Sequence, residues 1–318
     1  MGLEEAVKLI SILSPTFNEE DNVREIYRQL KEVLSSLDGY EYEIIFIDNA
    51  STDNTVPLLK EIASEDKNVR IIVNNRNYGH IRSPYHGLLQ TKGDAVILLA
   101  SDLQDPPELI SEFIKEWEKG YKLVLGVKDK SEETLLMFII RCIYYQLVGK
   151  LADKDLALIK NHTGFGLYDK EVINMLRKID DPYPYLRGLI CDLGYEQKII
   201  KYTQRARKRG ITKNNFYTLY DMAMLGITNH TKVPLRIATI SGFVLSALSL
   251  LVSLVYFSLK MIFWNYISFG FAPMIIGLFF FASVQLFFIG IIGEYIGFIH
   301  TQILNRPKVI EKERINFD

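Results

Sequence analysis

The segment Ala100-Ser101-Asp102-Leu103-Gln104-Asp105-Pro106-Pro107-Glu108 gathers carboxylate and amide oxygens in one short stretch. Such oxygens are hard ligands that suit Mg²⁺ or Mn²⁺. Two prolines follow and fix the exit into the next helix. A loop that only capped a helix would not need this density of oxygen donors. Two earlier segments offer a different chemistry. In Ser14-Pro15-Thr16-Phe17-Asn18-Glu19, Pro15 makes a rigid turn that carries an aromatic plane and an acceptor, on which a base can stack and be hydrogen-bonded. Asp48 and Asn49 end the next apolar run, where polar side chains would face a ligand. Part of these segments has a plainer use: Asp21 or Asn22, and Asp53 or Thr55, are suited to cap the helices that follow.

Cations form the third group. Arg205-Ala206-Arg207-Lys208-Arg209-Gly210-Ile211-Thr212-Lys213 is a basic run. It reads as a solvated patch beside an anionic membrane, worth about 1 kcal/mol per residue near the surface. It reads equally as a clamp on phosphates, and the two uses can fall to different residues. Lys128 and Arg141 are further candidates for holding an acceptor phosphate. Arg187 is expected to support structure. His162 lies near the oxygen-rich loop in sequence pattern, but a lone histidine is more often structural, and His80 and His86 are read the same way.

These residues need a frame. Apolar runs at Lys8–Ser14, Glu43–Asp48, Val69–Asn74, Ala95–Ala100 and Lys122–Val127 read as strands. Helical patterns lie between them at Asn22–Ser36, Thr55–Ser64, Ser83–Thr91 and Pro107–Lys119. This alternation predicts an α/β domain with a mostly parallel sheet covered on both faces. Ligands in such sheets bind beyond the carboxyl ends of the strands, where the three chemical segments sit.

After Lys232 the chain changes character. No charged residue occurs between Arg236 and Lys260, or from Met261 to Gly293. Each stretch exceeds the roughly 20 residues that a bilayer core requires. Lys232 and Arg236 precede the first, and Arg306, Lys308, Lys312 and Arg314 follow the second. The positive-inside rule then puts both termini and the α/β domain in the cytoplasm, with Trp264, Tyr266 and Phe269 at the outer interface. The expected division is a catalytic domain over 1–232, two transmembrane helices over 233–303, and a cytoplasmic tail over 304–318. Residues 135–151 and 215–225 are amphipathic and suit either the membrane interface or packing on the sheet. The 318 residues carry a formal charge of −1, so no nucleic-acid partner is expected. Two cysteines exclude a disulfide framework. The acidic N-terminus has no apolar stretch of the signal-peptide kind.

PTFNEEDN, IDNASTDNT, RNYGH, GDAVILLASDLQDPPE and NHTGFGLYDKEVI, in this order and spacing, resemble the family 2 glycosyltransferases of GT-A (Rossmann-like nucleotide-diphospho-sugar transferase) fold. Within them the chain is similar to the polyprenyl-phosphate sugar transferases, over nearly its whole length. The resemblance implies that Pro15, Phe17, Glu19, Asp48, Asn49 and Ser101 surround the nucleotide. It implies that Asp102 and Gln104 hold a divalent metal, Mg²⁺ or Mn²⁺, on the donor diphosphate. It matches Arg207, Thr212 and Lys213 to a phosphate-binding Arg and Ser/Thr-Lys pair, which with Asp102 makes Arg207 and Lys213 the catalytic set. Departures are visible: Ala100 stands where the family has the first acid of a D-x-D pair, Asn49 replaces a second acid, Phe17 replaces Tyr, and Gly166 replaces the arginine of Gly-Phe-Arg.

The implied reaction is inverting transfer from a UDP- or GDP-sugar, UDP-glucose-like, to polyprenyl phosphate, for modification of cell-envelope glycans, by a multi-pass protein of the cytoplasmic membrane. A phosphomonoester with a second pKa near 6 is largely dianionic at neutral pH, so its attack needs no general base. The alternatives are a transferase acting on a hydroxyl of a glycolipid or polysaccharide, or a degenerate, non-catalytic membrane partner. The oligomeric state is left open, a homo-oligomer included.

Overall fold

The computed structural model describes residues 7–129, 159, 161–179, 181, 184–205, 233–263, 271–304 and 306–317. Arg141, Arg207, Thr212, Lys213, the aromatic residues 264–269 and the amphipathic stretches 135–151 and 215–225 lie outside the described residues.

The first half alternates as its apolar periodicity requires. It runs β1 (Lys8–Thr16), α1 (Val23–Ser35), β2 (Tyr40–Asp48), α2 (Thr55–Glu65), β3 (Val69–Asn74), α3 (Gly79–Gln90) and β4 (Ala95–Leu98). A 3₁₀ turn at Pro107–Leu109 leads into α4 (Ile110–Glu118), then β5 (Leu123–Lys128). The chain continues through β6 (His162–Asp169), α5 (Lys170–Lys178), α6 (Leu186–Asp192), β7 (Gln197–Tyr202), α7 (Val233–Ile262), α8 (Phe271–Ile303) and β8 (Glu311–Ile315).

The strands form one sheet in the order β7-β5-β6-β4-β1-β2-β3-β8. β1 pairs in parallel with β2 and β4, and β2 with β3. β6 runs antiparallel between β4 and β5, and β8 antiparallel to β3. The sheet is therefore mixed, with a parallel centre. Central strands are apolar on both faces because helices cover both. Successive side chains alternate between faces: Ile10, Ile12, Ile44 and Phe46 pack under α1, α2 and α4. Leu13, Ile45 and Ile47 pack under α3 and α5. In α1 the buried residues Val23, Ile26, Leu30 and Leu34 make one stripe at helical spacing. At Gly87 in α3 a Cβ would stand 2.7 Å from Leu13 Cδ1, so glycine lets this helix sit close on the sheet.

Two features differ from the sequence-based expectation. The first is helix capping. Asn22 stands at the cap of α1, but its amide donates to Glu19 Oε2 at 2.5 Å and makes no side-chain cap bond. Asp53 Oδ1 does accept from Thr55 N at 3.0 Å, one residue outside the cap position held by Asn54. The second is the C-terminus. Residues expected as a free tail return to the sheet as edge strand β8. Its charged side chains give it partners that a sequence pattern does not reveal: Glu313 takes Lys60 at 2.7 Å, and Arg314 donates to Gln90 at 2.7 Å. His86 pairs with Glu311, and Asn316 Nδ2 donates to the carbonyls of Ala63 and Val69 at 2.8 Å. A short, charged strand is also a suitable cover for an edge that would otherwise invite another chain.

α7 and α8 contain segments long and apolar enough to cross a membrane, Val233–Leu259 and Gly277–Ile303, with mean hydropathies of 2.1 and 1.8. Their apolar side chains face outward: Phe243 and Leu286 are 73% and 70% exposed. This is the reverse of a core helix.

At the amino ends of the strands, Glu43 is buried and receives Ser11 Oγ, Arg70 Nη1 and the Lys92 backbone N–H. Removing one member of a buried, hydrogen-bonded ion pair strands the other. Glu43→Ala is expected to lower unfolding free energy by about 3–5 kcal/mol. Lys60→Ala, which breaks an exposed pair with Glu313, should cost at most about 1 kcal/mol. Denaturant melts of the two variants check this, and equal costs would contradict it.

Candidate active site

The parallel register brings three loops together. Thr16 pairs with Asp48 and Leu13 with Leu98, so β1, β2 and β4 end at one edge. The loops after β1 and β2 are laced by hydrogen bonds. Asn18 N donates to Ser51 Oγ and Glu19 N to Thr55 Oγ1, both at 2.8 Å. In return Thr52 N donates to Asn18 Oδ1 at 2.8 Å, and Asn54 N to Glu20 Oε2 at 2.9 Å. Three non-glycine residues in these loops have left-handed backbones: Asn18 (φ 53°), Ala50 (φ 62°) and Leu103 (φ 59°). Asparagine tolerates this region, whereas Ala50 and the buried Leu103 do so at a cost.

Some of the expected nucleotide residues form the frame of these loops. Asp48 is fully buried, and its two oxygens accept from Ser51 N and Ser51 Oγ. Burial raises its pKa, and the bonds from Ser51 oppose that rise. Asn49 spends its amide within the protein: Oδ1 accepts from Tyr78 N at 2.9 Å, and Nδ2 donates to Asn77 Oδ1 at 2.9 Å and Gly79 O at 3.1 Å. Ser101 Oγ lies among Ser14 Oγ, Thr16 Oγ1 and the Pro15 carbonyl. Asp48, Asn49 and Ser101 are thus engaged by the chain itself. Phe17 and Glu19 remain half-buried at the loop surface.

A cleft of about 410 Å³ opens beside this frame, lined among others by Pro15, Asp102, Gln104, Asp105 and Lys128. Asp102 Oδ1 accepts a long bond from Gln104 N, 3.3 Å, across Leu103, whose left-handed backbone turns the loop between the two side chains. Asp105 is buried and takes the Tyr202 hydroxyl proton in a hydrogen bond. Burial pushes its carboxyl pKa up; Tyr202 and Lys128 pull it down, and Asp102 adds to the rise. Lys128 Nζ donates to Gln204 Oε1 at 2.6 Å. Tyr202 is itself held by the Phe165 ring, whose centroid is 5.4 Å away. Thr163, Arg187 and Gln204 are cleft residues that the sequence reading did not assign to the site, and Tyr202 adjoins it through its bond to Asp105. Thr163 and Gln204 lie at or near the ends of β6 and β7, whereas Arg187 comes from α6. His80, read as structural, also lines the cleft.

The oxygen donors of the cleft fit a divalent cation of the Mg²⁺ type. Among the described residues no three His, Cys, Asp or Glu side chains converge as a cage. One carboxylate with one amide oxygen is the incomplete protein shell that such an ion accepts when substrate phosphates and water supply the rest. His162 is not part of that set. It is buried in β6, with Nδ1 3.0 Å from the Gly126 carbonyl.

The Glycosyl transferase family 2 model matches residues 11–167. The putative glycosyltransferase CsbB of Bacillus subtilis (strain 168) is 34% identical over 307 residues, 96% of this chain and 92% of the relative. The SfII prophage-derived bactoprenol glucosyl transferase of Shigella flexneri is 32% identical over 305 residues, 96% of this chain and 97% of the relative. The chain belongs to the family 2 glycosyltransferases. Its sheet is the mixed α/β sheet of a GT-A-like fold. In this glycosyltransferase the glycine at 166, where relatives are expected to carry arginine, lies between β4 and β5, and a Cβ there would stand 2.6 Å from the Val124 carbonyl oxygen. A larger side chain at 166 requires the strands to shift.

Burial holds the His162 pKa down at about 4, well below its ordinary value, and the Arg187 charge adds to this. The ring is neutral in the folded glycosyltransferase. A depressed folded pKa gives stability that is present above the unfolded value near 6.5 and is lost as pH falls towards 4. The loss is on the order of 3 kcal/mol over that window. Thermal melts of the wild type should therefore fall between pH 6.5 and 4.5 more steeply than those of His162→Asn, and parallel slopes would contradict this.

Proposed function

We propose that this glycosyltransferase moves a sugar from a nucleoside diphosphate sugar, UDP-glucose-like, onto the phosphate of a polyprenyl phosphate, at the cytoplasmic face of a membrane. The carrying observation is that one chain joins a cleft of oxygen donors and cations to two outward-facing apolar helices. A soluble acceptor would not need the helices, whereas a lipid phosphate needs both parts. The relative from Shigella flexneri, named for a bactoprenol acceptor, supports the same reading over 96% of the chain.

In this reading Pro15, Phe17 and Glu19 hold the nucleoside on the laced loops, with Asp48, Asn49 and Ser101 fixing the loops behind them. Asp102 and Gln104 would hold the divalent metal, which when bound offsets charge on the leaving diphosphate. Lys128, with Arg141, Arg207 and Lys213, brings the acceptor phosphate in line with the anomeric carbon. Alignment is the main task, because the dianionic phosphate is already a nucleophile. Attack opposite the leaving diphosphate inverts the anomeric centre.

The pairing of β8 with β3 supports a hairpin topology. The chain leaves the catalytic domain into α7 and returns to it after α8, so the helix pair crosses the bilayer an even number of times. Arg306, Lys308, Lys312 and Arg314 then lie on the cytoplasmic side, as the positive-inside rule favours.

Two measurements test this. Incubation with polyprenyl phosphate and nucleotide-sugars, read by mass spectrometry of the lipid, should give a polyprenyl-phosphate sugar. Asp102→Asn should reduce that product at least a hundredfold while the protein stays folded and membrane-bound; near-normal turnover would remove Asp102 from the site. A label fixed after Phe317 should react only once cells are permeabilised, and labelling of intact cells would overturn the topology.

A further inference from the structure

Arg187 was expected to serve structure alone, and its surroundings say more. It lines the same cleft as Asp102, Gln104 and Lys128, from the short helix α6. One Nη1–H donates to the His162 carbonyl at 3.0 Å, and the guanidinium lies 5.4 Å from the Tyr185 ring centroid. These two contacts fix the plane of the group. Among the described residues no carboxylate forms an ion pair with it, and the His162 carbonyl is its only hydrogen-bond acceptor. Its charge reaches the cleft residue His80, whose pKa is lowered by burial first and by Arg187 in addition. A guanidinium that is half-buried, oriented and without a carboxylate partner among the described residues can present N–H groups to an anion, and its geometry suits phosphate oxygens.

Position selects which anion. Of the nucleoside-loop residues, Pro15 lines this cleft and Phe17 and Glu19 do not, and Asp102 and Gln104 share it with Arg187. The end of α8 and the segment after it touch the domain near the cleft. Gln302, at the end of α8, donates to Asp181 Oδ1 at 2.9 Å, in the segment that leads into α6. Lys308 Nζ lies over the ring of Tyr85, another residue of the cleft, at 5.6 Å from its centroid. A molecule anchored by an apolar tail along α8 therefore reaches the Arg187 wall with its head group.

We propose that Arg187 binds the phosphomonoester of the lipid acceptor, with Lys128 as the second cation, and does not contact the donor diphosphate. This rests on the acceptor class proposed above. It adds a cation to a site whose chain has Gly166 in place of the family's arginine.

The test is equilibrium binding to the full chain in detergent, with farnesyl phosphate, farnesol and a nucleoside diphosphate with Mn²⁺ as separate probes. Arg187→Gln should weaken farnesyl phosphate binding about tenfold to a hundredfold. It should leave farnesol and nucleotide binding within about twofold of wild type. Arg187→Lys should fall between, because an ammonium keeps the charge and loses the fork. Weakened nucleotide binding with unchanged farnesyl phosphate binding would overturn the proposal in favour of a donor contact. Unchanged binding of both would return Arg187 to a structural role. If Arg187→Gln does not fold, Arg187→Lys decides, and wild-type affinity in that variant overturns the proposal. Sugar transfer is read in parallel. A wild type that binds farnesyl phosphate through Arg187 but transfers no sugar to a polyprenyl phosphate would refute the proposed reaction while leaving this site standing. Normal transfer by Arg187→Gln at limiting acceptor would do the opposite.

Discussion

Everything at the site depends on the parallel register of β4, β1, β2 and β3. Because helices cover both faces of these strands, their side chains are committed to apolar packing, and polar groups are excluded to the two ends. The amino ends hold the Glu43–Arg70 pair, which closes on itself. The carboxyl ends release three loops side by side, and there the hydrogen-bonding capacity is spent between loops before any ligand arrives. Asp48, Asn49 and Ser101 illustrate this. Each is polar, each is buried, and each stabilises the conformation of a neighbouring segment. Residue types that look like ligand contacts in a linear sequence become the scaffold that holds other residues open to the cleft.

That lacing has an energetic role. Ala50 and Leu103 sit in a backbone region that L-residues with side chains adopt at a cost of about 1–3 kcal/mol each. Such conformations persist only where surrounding contacts over-determine them. Ala50 is held between the Thr16–Asn49 backbone bond and the Asp48–Ser51 bonds. Leu103 is buried between Asp102 and Gln104, with Ser101 N on the Pro15 carbonyl before it and Arg205 N on the Gln104 carbonyl after it. The left-handed turn at Leu103 sits between two oxygen donors that both line the cleft.

The elements with local signals were legible in sequence. β3 falls on Val69–Asn74 at both ends, since an apolar run bounded by polar residues leaves little choice. β4 stops at Leu98 rather than Ala100, because the chain must already turn to bury Ser101 under Pro15. α3 starts at Gly79, ahead of the expected Ser83, because Asn77 Oδ1 accepts the Gly79 N–H and fixes the first turn, an arrangement that Asn49 in turn supports. β6 was hidden by its glycines and histidine, and β8 by its charges. Their strand conformation comes from partners distant in sequence. At the site, Asp102, Gln104 and Lys128 were readable from residue type and position after a strand. Gln204 and Arg187 were not, since nothing local distinguishes a Gln or Arg that faces a cleft from one that faces water.

β8 links the catalytic chemistry to the apolar helices. A domain attached to a helix pair through one chain connection is free to rotate about it. This chain has two, one entering α7 and one leaving α8, and the second is fixed along the sheet edge by the β3 ladder and the Lys60, His86 and Gln90 contacts. The Gln302–Asp181 bond adds a third point, next to the cleft wall that carries Arg187. The β8 ladder and the Gln302–Asp181 bond thus tie the end of α8 and the chain after it to the domain. For a reactant whose tail is confined to a lipid layer, the orientation of the cleft relative to that helix determines whether its phosphate can approach the anomeric carbon in line. Misplacement by about 1 Å can cost such a reaction on the order of a hundredfold. The edge strand bears on that approach through the attachment of α8, although none of its residues lines the cleft.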